Sequence, residues 1–418
     1  MRGARPSLAL GRARSPSAPH ARGEGRAPSR PHTQTLPSAE GGIGNGEEGK
    51  RGMKGVKKYG GILLLLAAAV SVAVAFRNGL VGPYDFQWST AKALLAGTDP
   101  YAAKSGGDAY ACYVPSCLLL LAPWTLLGRE SALVAWLVAN VFFMLGFLAL
   151  MCRMFVGEGC RLRMFAWLSL LMFVSLPFRQ LIECGQHIGF SLFFFALALF
   201  CHRRGNWPLA GLCLIPALFK YTTTIPLCCL FLVLGAWRAL GIAALGHLLL
   251  TLVASLLTRT APWTLIAGSM RIGAANAGRG VADPASLLVG LGLPGASVAA
   301  IVGYALGALA LAGIVLVWRR RKMEPEDELR VLTLLALISS LMFYHRLYDF
   351  VVLMIVPFLW PRLTTCGKVL AGATLAWFFV GYRVYVLFAP PETAVAFGLI
   401  SLLSLLLALI GRDGRLQK

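Results

Sequence analysis

Between residues 60 and 410 the sequence repeats one pattern, in which apolar stretches near membrane-spanning length alternate with short basic loops. About 20 apolar residues in an α-helix cross the hydrocarbon core of a bilayer, where the backbone must satisfy its own hydrogen bonds. Only 14% of the residues are charged, whereas soluble domains carry about 25%. The pattern therefore predicts an all-α polytopic membrane protein.

The formal net charge of +21 comes mostly from arginine and lysine in those loops. Cytoplasmic loops carry an excess of both residues, so we interpret the charge as an orientation signal and expect no nucleic-acid partner. Assigning basic loops to the inside gives about twelve spans, with both termini cytoplasmic. The predicted spans are 60–78, 131–152, 164–178, 187–201, 207–220, 222–236, 239–257, 296–318, 330–343, 347–361, 369–388 and 393–410.

Two regions depart from this pattern. Residues 115–127 are apolar but too short to span, so we predict an interfacial helix in the first outer loop. Counting 115–127 as a span would place the basic clusters outside. The spans around Pro216 and Pro226 are short, which is typical of broken helices or of one kinked pair.

Residues 1–52 are rich in Arg, Pro, Ser and Gly and contain no apolar run. Such a segment cannot build a core, and we predict a disordered basic extension before a membrane domain at 53–418. A basic tail on anionic lipid is the alternative. The sequence from Met53 onward also has the form of a natural start, so the extension can reflect a start codon assigned too early.

Ionisable groups near a membrane face are functional candidates, because placing them there is costly. The acids on the predicted outer side are Asp85, Asp99, Asp108, Glu183, Asp283, Asp349 and Glu392. Asp85 follows the first span closely, Asp349 begins the tenth, and Asp99 precedes proline, which suits a turn. Lys220, His345 and Arg346 are cations at the same predicted level, and Arg271 and Arg279 are either phosphate ligands or solvated residues of the second outer loop.

One carboxylate with several cations and aromatic rings suits transfer of a sugar from a lipid phosphate. A base takes the proton from the acceptor hydroxyl, and the cations stabilise the charge that grows on the departing phosphate. Phosphate leaves without protonation, so one key carboxylate suffices where a glycosidase uses two. This chemistry requires no metal or cofactor, and no outer pair of carboxylates is spaced to bind a metal.

Three segments, in order, resemble glycosyltransferase family 87. They are Asp85 through Tyr113-Val114-Pro115, the stretch from Gly185-Gln186-His187 to Phe219-Lys220, and YHRLYDFVVLMIVP at 344–357. The resemblance implies a GT-C fold in the plasma membrane and an extracytoplasmic active site. It also implies a polyprenyl-phosphate hexose donor, mannose or a relative, and a lipid or glycan acceptor. By the same resemblance, Asp85 is the catalytic base. Lys220, His345 and Arg346 lie near the donor phosphate, and Gln186, Tyr113 and Asp349 help bind substrate.

Two other classes of function stay open at this point. Short proline-bearing spans also suit a secondary transporter or a lipid flippase, although the polar candidates gather at one face and away from the bilayer midplane. We interpret His247, the main polar group within a span, as a packed interface histidine. A catalytically inactive family member is the third interpretation. A disulfide between Cys112 and Cys184 is compatible with their shared outer side.

Overall fold

The computed structural model of the chain describes residues 46–82, 86–101, 113–275 and 280–410. Every regular element in those ranges is helical, so the all-α prediction is confirmed. The α-helices are α1 Gly46–Val81, α2 Trp88–Leu95, α3 Pro115–Leu120, α4 Arg129–Phe155, α5 Arg161–Val174, α6 Leu176–Glu183, α7 Ile188–Arg203, α8 Trp207–Ala217, α9 Tyr221–Val233, α10 Trp237–Thr258, α11 Pro262–Ala274, α12 Pro284–Gly290, α13 Ala296–Trp318, α14 Pro325–Met342, α15 Val356–Leu359, α16 Thr365–Ala376, α17 Tyr382–Val386 and α18 Pro391–Ile410. Shorter 3₁₀ helices cover Ala122–Leu126, Glu158–Cys160, Leu218–Lys220, Leu347–Ile355 and Trp360–Arg362, and a π-helix covers Trp377–Gly381.

Within the described ranges, seven helical stretches are long and apolar enough to cross a membrane. An eighth is added if the bent pair Glu158–Val174 and Leu176–Glu183 is counted as one span. The seven are Gly61–Val81, Arg129–Phe155, Trp207–Val233, Trp237–Thr258, Ser297–Trp318, Thr365–Val386 and Pro391–Ile410. The multi-pass prediction is therefore supported, while the count of about twelve spans stays a prediction.

The stretch from Trp207 to Val233 turns back on itself. A straight helix of that length would be about 39 Å long, yet the Arg238 guanidinium lies 5.5 Å from the Trp207 ring centroid. The helix breaks at Lys220, whose ψ of 67° is not helical. Helices α8 and α9 therefore form a hairpin with Lys220 at its turn, and the two short spans predicted around Pro216 and Pro226 stay a prediction.

A second hairpin is formed by α14 and the chain that follows it. The Arg362 Nε lies 2.8 Å from the Glu326 Oε1, which brings the end of residues 347–362 back beside the start of α14. Residues 347–361, predicted as a regular span, are mainly 3₁₀ helix. Residues 347–356 are all buried within the protein, so they take their shape from packing against their neighbours and not from lipid.

Contacts among the basic residues gather at one end of the bundle, here called the basic end. Arg203 pairs with Glu328 and donates to the Met154 carbonyl. The Arg319 guanidinium lies over the Trp237 ring, and Arg330 donates to the Leu409 carbonyl. Loops that the charge pattern assigns to one compartment thus meet in space.

Two predicted boundaries differ in the structure. Residues 115–127 form α3 and the following 3₁₀ turn, which is shorter than the single interfacial helix expected, because Pro123 follows the end of α3. The first helix begins at Gly46, inside the predicted N-terminal extension. Residues 1–45 lie outside the described residues, so the extent of that extension stays a prediction.

Candidate functional site

Three chain turns meet at the end of the bundle opposite the basic end, here called the site end. They are the α6–α7 connector at 184–187, the hairpin turn at Lys220, and the α14 connector at 343–346. The break at Lys220 frees backbone groups, and these are satisfied locally. The Lys220 N–H donates to the Ser191 Oγ at 3.0 Å, and the Thr224 Oγ1 donates to the Lys220 carbonyl at 2.9 Å. Satisfying the freed backbone is what lets a hairpin turn sit inside a membrane protein.

The Lys220 ammonium connects all three turns. Its Nζ lies 3.4 Å from the Asp349 Oδ1 and donates to the Gln186 Oε1 at 3.3 Å. The same Oε1 accepts from the Tyr113 hydroxyl at 3.4 Å. The Lys220 Nζ also lies 4.8 Å from the Tyr348 ring centroid, within cation–π range. Four of the predicted substrate-binding residues are therefore in one contact network.

The second oxygen of Asp349 holds the α14 connector. The Asp349 Oδ2 accepts the Arg346 backbone N–H at 3.0 Å and lies 3.5 Å from the His345 Nδ1. The other ring nitrogen of His345 lies 3.1 Å from both the hydroxyl and the carbonyl oxygen of Ser339. His345 is therefore enclosed between α14 and Asp349, where it fixes the connector and does not face open space.

The Arg346 side chain contacts Tyr344, which the sequence did not single out as a site residue. The Arg346 Nε donates to the Tyr344 hydroxyl, and the guanidinium lies 5.9 Å from the same ring. Burial raises the pKa of Tyr344, while Arg346 and Lys220 act in the opposite direction. The phenol therefore stays protonated at neutral pH and is available as a hydrogen-bond donor.

A cavity of about 550 Å³ opens beside this network. Tyr113, Lys220, Tyr344 and Asp349 line its polar part, and side chains of α9, α11 and α13 line the rest. Gln186, His345 and Arg346 stand behind these residues. Among the described residues that line the cavity, Lys220 is the cation, and Asp349, which pairs with it, is the carboxylate.

An aromatic cluster supports the cavity from behind. The His187 ring stacks on Phe219 with centroids 4.3 Å apart, and both Tyr113 and Trp136 contact it. Phe86 is fully buried against Trp136, with centroids 5.9 Å apart. Asp85, the predicted base, lies outside the described residues, and Phe86 is its neighbour in the chain.

The sequence of this region matches a known family. Residues 111–344, more than half of the chain, match the model of glycosyltransferase family 87. The chain belongs to glycosyltransferase family 87. It matches no curated protein and no solved structure.

In this family 87 protein, the range that matches the family model contains only part of the contact network around Lys220. Tyr113, Gln186, Lys220 and Tyr344 fall inside the match, whereas Asp85, His345, Arg346 and Asp349 fall outside it. Physical contact joins the two groups, since Asp349 pairs with Lys220. The resemblance that the sequence suggested is confirmed as to family, and the roles of individual residues stay predictions.

The other acids predicted on the outer side have these surroundings. Glu183 accepts hydrogen bonds from Asn78 and Arg179, and Asp283 caps α12 through the Ser286 backbone N–H. Asp99 accepts the Tyr101 N–H, as a turn before proline predicts. Glu392 lies in the first turn of α18. Asp108 lies outside the described residues.

Three further predicted groups have these outcomes. Arg271 is exposed on α11, one residue after the cavity residue Met270, and Arg279 lies outside the described residues. Cys184 is buried but Cys112 is not described, so their disulfide stays a prediction. Across the described ranges, no group of three His, Cys, Asp or Glu side chains is placed to hold a metal ion.

Proposed function

We propose that this glycosyltransferase moves mannose from a polyprenyl-phosphate donor to a hydroxyl of a lipid or glycan acceptor, with inversion at the anomeric carbon. The observation that carries the proposal is the Lys220 ammonium, which faces a cavity while tied to Asp349 and Gln186. A membrane-embedded cation beside an open cavity suits a lipid-linked anion. Neither a metal nor a cofactor takes part in the proposed reaction.

In the proposed reaction Asp85 takes the proton from the acceptor hydroxyl. The acceptor oxygen then forms a bond to the anomeric carbon while the bond from that carbon to the phosphate oxygen breaks. Both electrons of the breaking bond leave with the lipid phosphate. Lys220 and the Tyr344–Arg346 pair stabilise its charge, which is the kind of electrostatic term that contributes most in such sites.

The position of Asp85 in the chain supports its assigned role. Asp85 is bonded to Phe86, which packs on Trp136, and Trp136 donates a hydrogen bond to the Gly185 carbonyl at 3.0 Å. Gly185 precedes Gln186, a partner of Lys220. Three buried contacts therefore connect Phe86, the neighbour of the proposed base, to the proposed phosphate-binding lysine.

The sidedness of the site belongs to the same proposal. The basic end collects the arginines of the predicted cytoplasmic loops, and Lys220 and Asp349 lie at the opposite end. By the positive-inside rule the site end is extracytoplasmic, in a plasma-membrane protein of GT-C fold with about twelve spans. Membrane-impermeant labelling of single cysteines placed beside Phe86, Lys220 and Tyr344 tests this, and labelling from opposite compartments would refute it.

The decisive experiment replaces the proposed base. Purified wild-type protein is incubated with a panel of polyprenyl-phosphate sugars and acceptor lipids, and products are identified by mass spectrometry. We expect Asp85→Asn to lower transfer by about 10³-fold, within the range that general-base catalysis contributes, with unchanged thermal unfolding. Asp99→Asn is the matched control, because Asp99 serves a turn. Near-normal transfer by Asp85→Asn would remove the assignment.

A transporter or flippase is the weaker alternative. His247, the main polar group within a span, has both ring nitrogens engaged, with the Ser116 Oγ at 2.8 Å and the Ile215 carbonyl at 3.0 Å. A histidine held in this way is part of helix packing. Solute flux in proteoliposomes lacking any lipid-phosphate sugar would favour the alternative. A correctly folded wild-type protein inactive with every donor would favour the inactive family member.

A further inference from the structure

A separate cavity lies at the basic end, where the last turns of α4 meet the first turns of α5. It has a volume of about 450 Å³. Two arginines and several apolar side chains line it, among them Arg153, Arg161, Leu150, Leu162 and Phe165. Within the described ranges, no carboxylate is part of its lining. The cavity therefore combines positive charge with an apolar wall.

Local contacts fix Arg161 beside the end of α4. The Arg161 Nε donates to the Val156 carbonyl at 3.0 Å, which holds the guanidinium back towards the preceding helix. The Arg161 Nη1 lies 3.1 Å from the Glu158 Oε1, but the Glu158 side chain is 90% exposed. Exposed ion pairs contribute little. Because a guanidinium carries five N–H donors, Arg161 keeps donors for a further anion.

The Arg153 guanidinium shares an aromatic ring with Arg204. It lies 5.4 Å from the Phe200 ring centroid, and the Arg204 guanidinium lies 4.5 Å from the same centroid. In the described part of the chain, neither arginine has a carboxylate within ion-pair distance. Like charges held close together repel each other. An anion bound to Arg153 would therefore relieve a repulsion that the described acids do not compensate.

The apolar wall of the cavity continues into exposed apolar surface. Leu162 stands between Arg161 and Arg163 and is 80% exposed, and Trp167 of the same helix is 54% exposed. Exposed apolar surface of this kind marks contact with a membrane. Inorganic phosphate would use the arginines and leave the apolar wall uncovered, whereas a phospholipid would cover both. A zwitterionic headgroup would also bring its own cation beside the arginines, so a lipid with net negative charge fits best.

We propose that the cavity between α4 and α5 binds an anionic phospholipid from the surrounding leaflet. Its phosphate bonds to Arg153 and Arg161, and the start of an acyl chain lies along Leu150, Leu162 and Phe165. Basic pockets between membrane helices are a known type of site for lipid headgroups. Hydrogen bonds between arginine and phosphate are charge-assisted and often bidentate. The bound lipid connects α4 to α5 and stabilises the fold at the basic end.

The test compares two lipids that have the same acyl chains. Purified wild-type protein in detergent is titrated with phosphatidylglycerol or phosphatidylcholine, bound lipid is counted by native mass spectrometry, and thermal unfolding is followed. We expect tighter binding of phosphatidylglycerol and a Tm that rises with its concentration. Arg153→Gln combined with Arg161→Gln should lower that affinity about tenfold, as for loss of charge-assisted hydrogen bonds. Arg238→Gln, at the same end but outside this cavity, should bind like wild type.

A second variant fills the cavity and keeps its charges. Ala149 lines the cavity and is exposed, so Ala149→Trp should also lower phosphatidylglycerol affinity about tenfold, by exclusion of the headgroup and of its bonds to arginine. Val138→Trp is the control, because Val138 is 39% exposed on α4, three turns before the cavity. This variant decides the matter if the double arginine variant fails to fold.

Four results would overturn the assignment. They are equal binding of the two lipids, equal stabilisation by inorganic phosphate, unchanged phosphatidylglycerol binding by Ala149→Trp, and equal losses in Arg238→Gln and the double variant. The last result would indicate diffuse attraction to the whole basic end. None of these measurements uses sugar transfer, so the lipid site and the proposed function are tested independently.

Discussion

The basic end and the site end each hold a buried ion pair between helices that are distant in sequence. At the basic end the Arg203 Nη2 lies 2.6 Å from the Glu328 Oε2, its Nε donates to the same oxygen at 2.8 Å, and its Nη1 donates to the Met154 carbonyl. At the site end the Lys220 Nζ lies 3.4 Å from the Asp349 Oδ1 and also faces a cavity. The Arg203 guanidinium at the basic end is bonded to Glu328 and to the Met154 carbonyl. The Lys220 ammonium at the site end lines a cavity that has room for a ligand.

This difference teaches how to separate a structural ion pair from a functional one in a membrane protein. Arginine offers a planar fork that fits a carboxylate and a carbonyl together, so it suits a fixed junction. Lysine is a point charge on a flexible stem, and it can shift from a carboxylate to an arriving phosphate. The two ends should therefore respond oppositely to substitution, one in stability and the other in activity.

The largest effect on transfer within this comparison is expected at Lys220. Lys220→Met keeps much of the length of the side chain but removes its charge, and we expect transfer to fall by about 100-fold, as for loss of one stabilising donor. Steady-state kinetics over a range of donor concentrations measures it. Unchanged donor use by a folded Lys220→Met protein would break the comparison, because the site-end pair would then be structural as well.

Tyr344 is expected to give a smaller loss. Tyr344→Phe removes the hydroxyl that accepts from the Arg346 Nε, and the loss of one charged hydrogen bond corresponds to about tenfold in donor KM. Tyr385→Phe is the control, because Tyr385 packs on Trp377 and Phe397 away from the cavity. Equal effects of the two variants would show that Tyr344 acts only through packing.

At the basic end we expect a change in stability with little change in transfer. Arg203→Met leaves Glu328 buried without its partner, and removing one member of a buried pair costs about 3 kcal/mol. Thermal unfolding in detergent should show a lower Tm, while kcat per folded molecule stays near the wild-type value. A selective loss of kcat at normal Tm would assign the basic end a role in the reaction.

The smallest effect is expected at His247, which belongs to neither end. His247→Leu removes two hydrogen bonds between helices, and such bonds in membrane proteins average about 0.6 kcal/mol each. The Tm should fall slightly, with transfer unchanged. A large loss of transfer or of solute flux in this variant would point to a working polar group within the membrane.

The sequence predicted the site end better than the shapes of the helices that build it. Loop charges placed Lys220, His345 and Asp349 at one predicted face, and the family resemblance grouped them with Gln186. The 3₁₀ conformation of residues 347–355 was not predictable, because their apolar composition is equally typical of a lipid-facing α-helix. That segment is instead enclosed by protein, so packing determines its form.

Tyr344 was missed for a related reason. It stands beside His345 and Arg346 in the sequence, but the order of residues in a loop does not show which of their side chains faces a cavity. The signal available was its position before two cations, at the end of an apolar run.

The hairpin turn at Lys220 has a consequence for assembly of the chain in the membrane. Lys220 leaves the ribosome long before Asp349, its carboxylate partner. During that interval Lys220 lacks the Asp349 carboxylate, so the ion pair of the site end forms only after the hairpin that begins with α14 has been made. Completion of the bundle and completion of the site are therefore one event, and nascent protein truncated before residue 349 should be extracted from membranes more readily than the full chain.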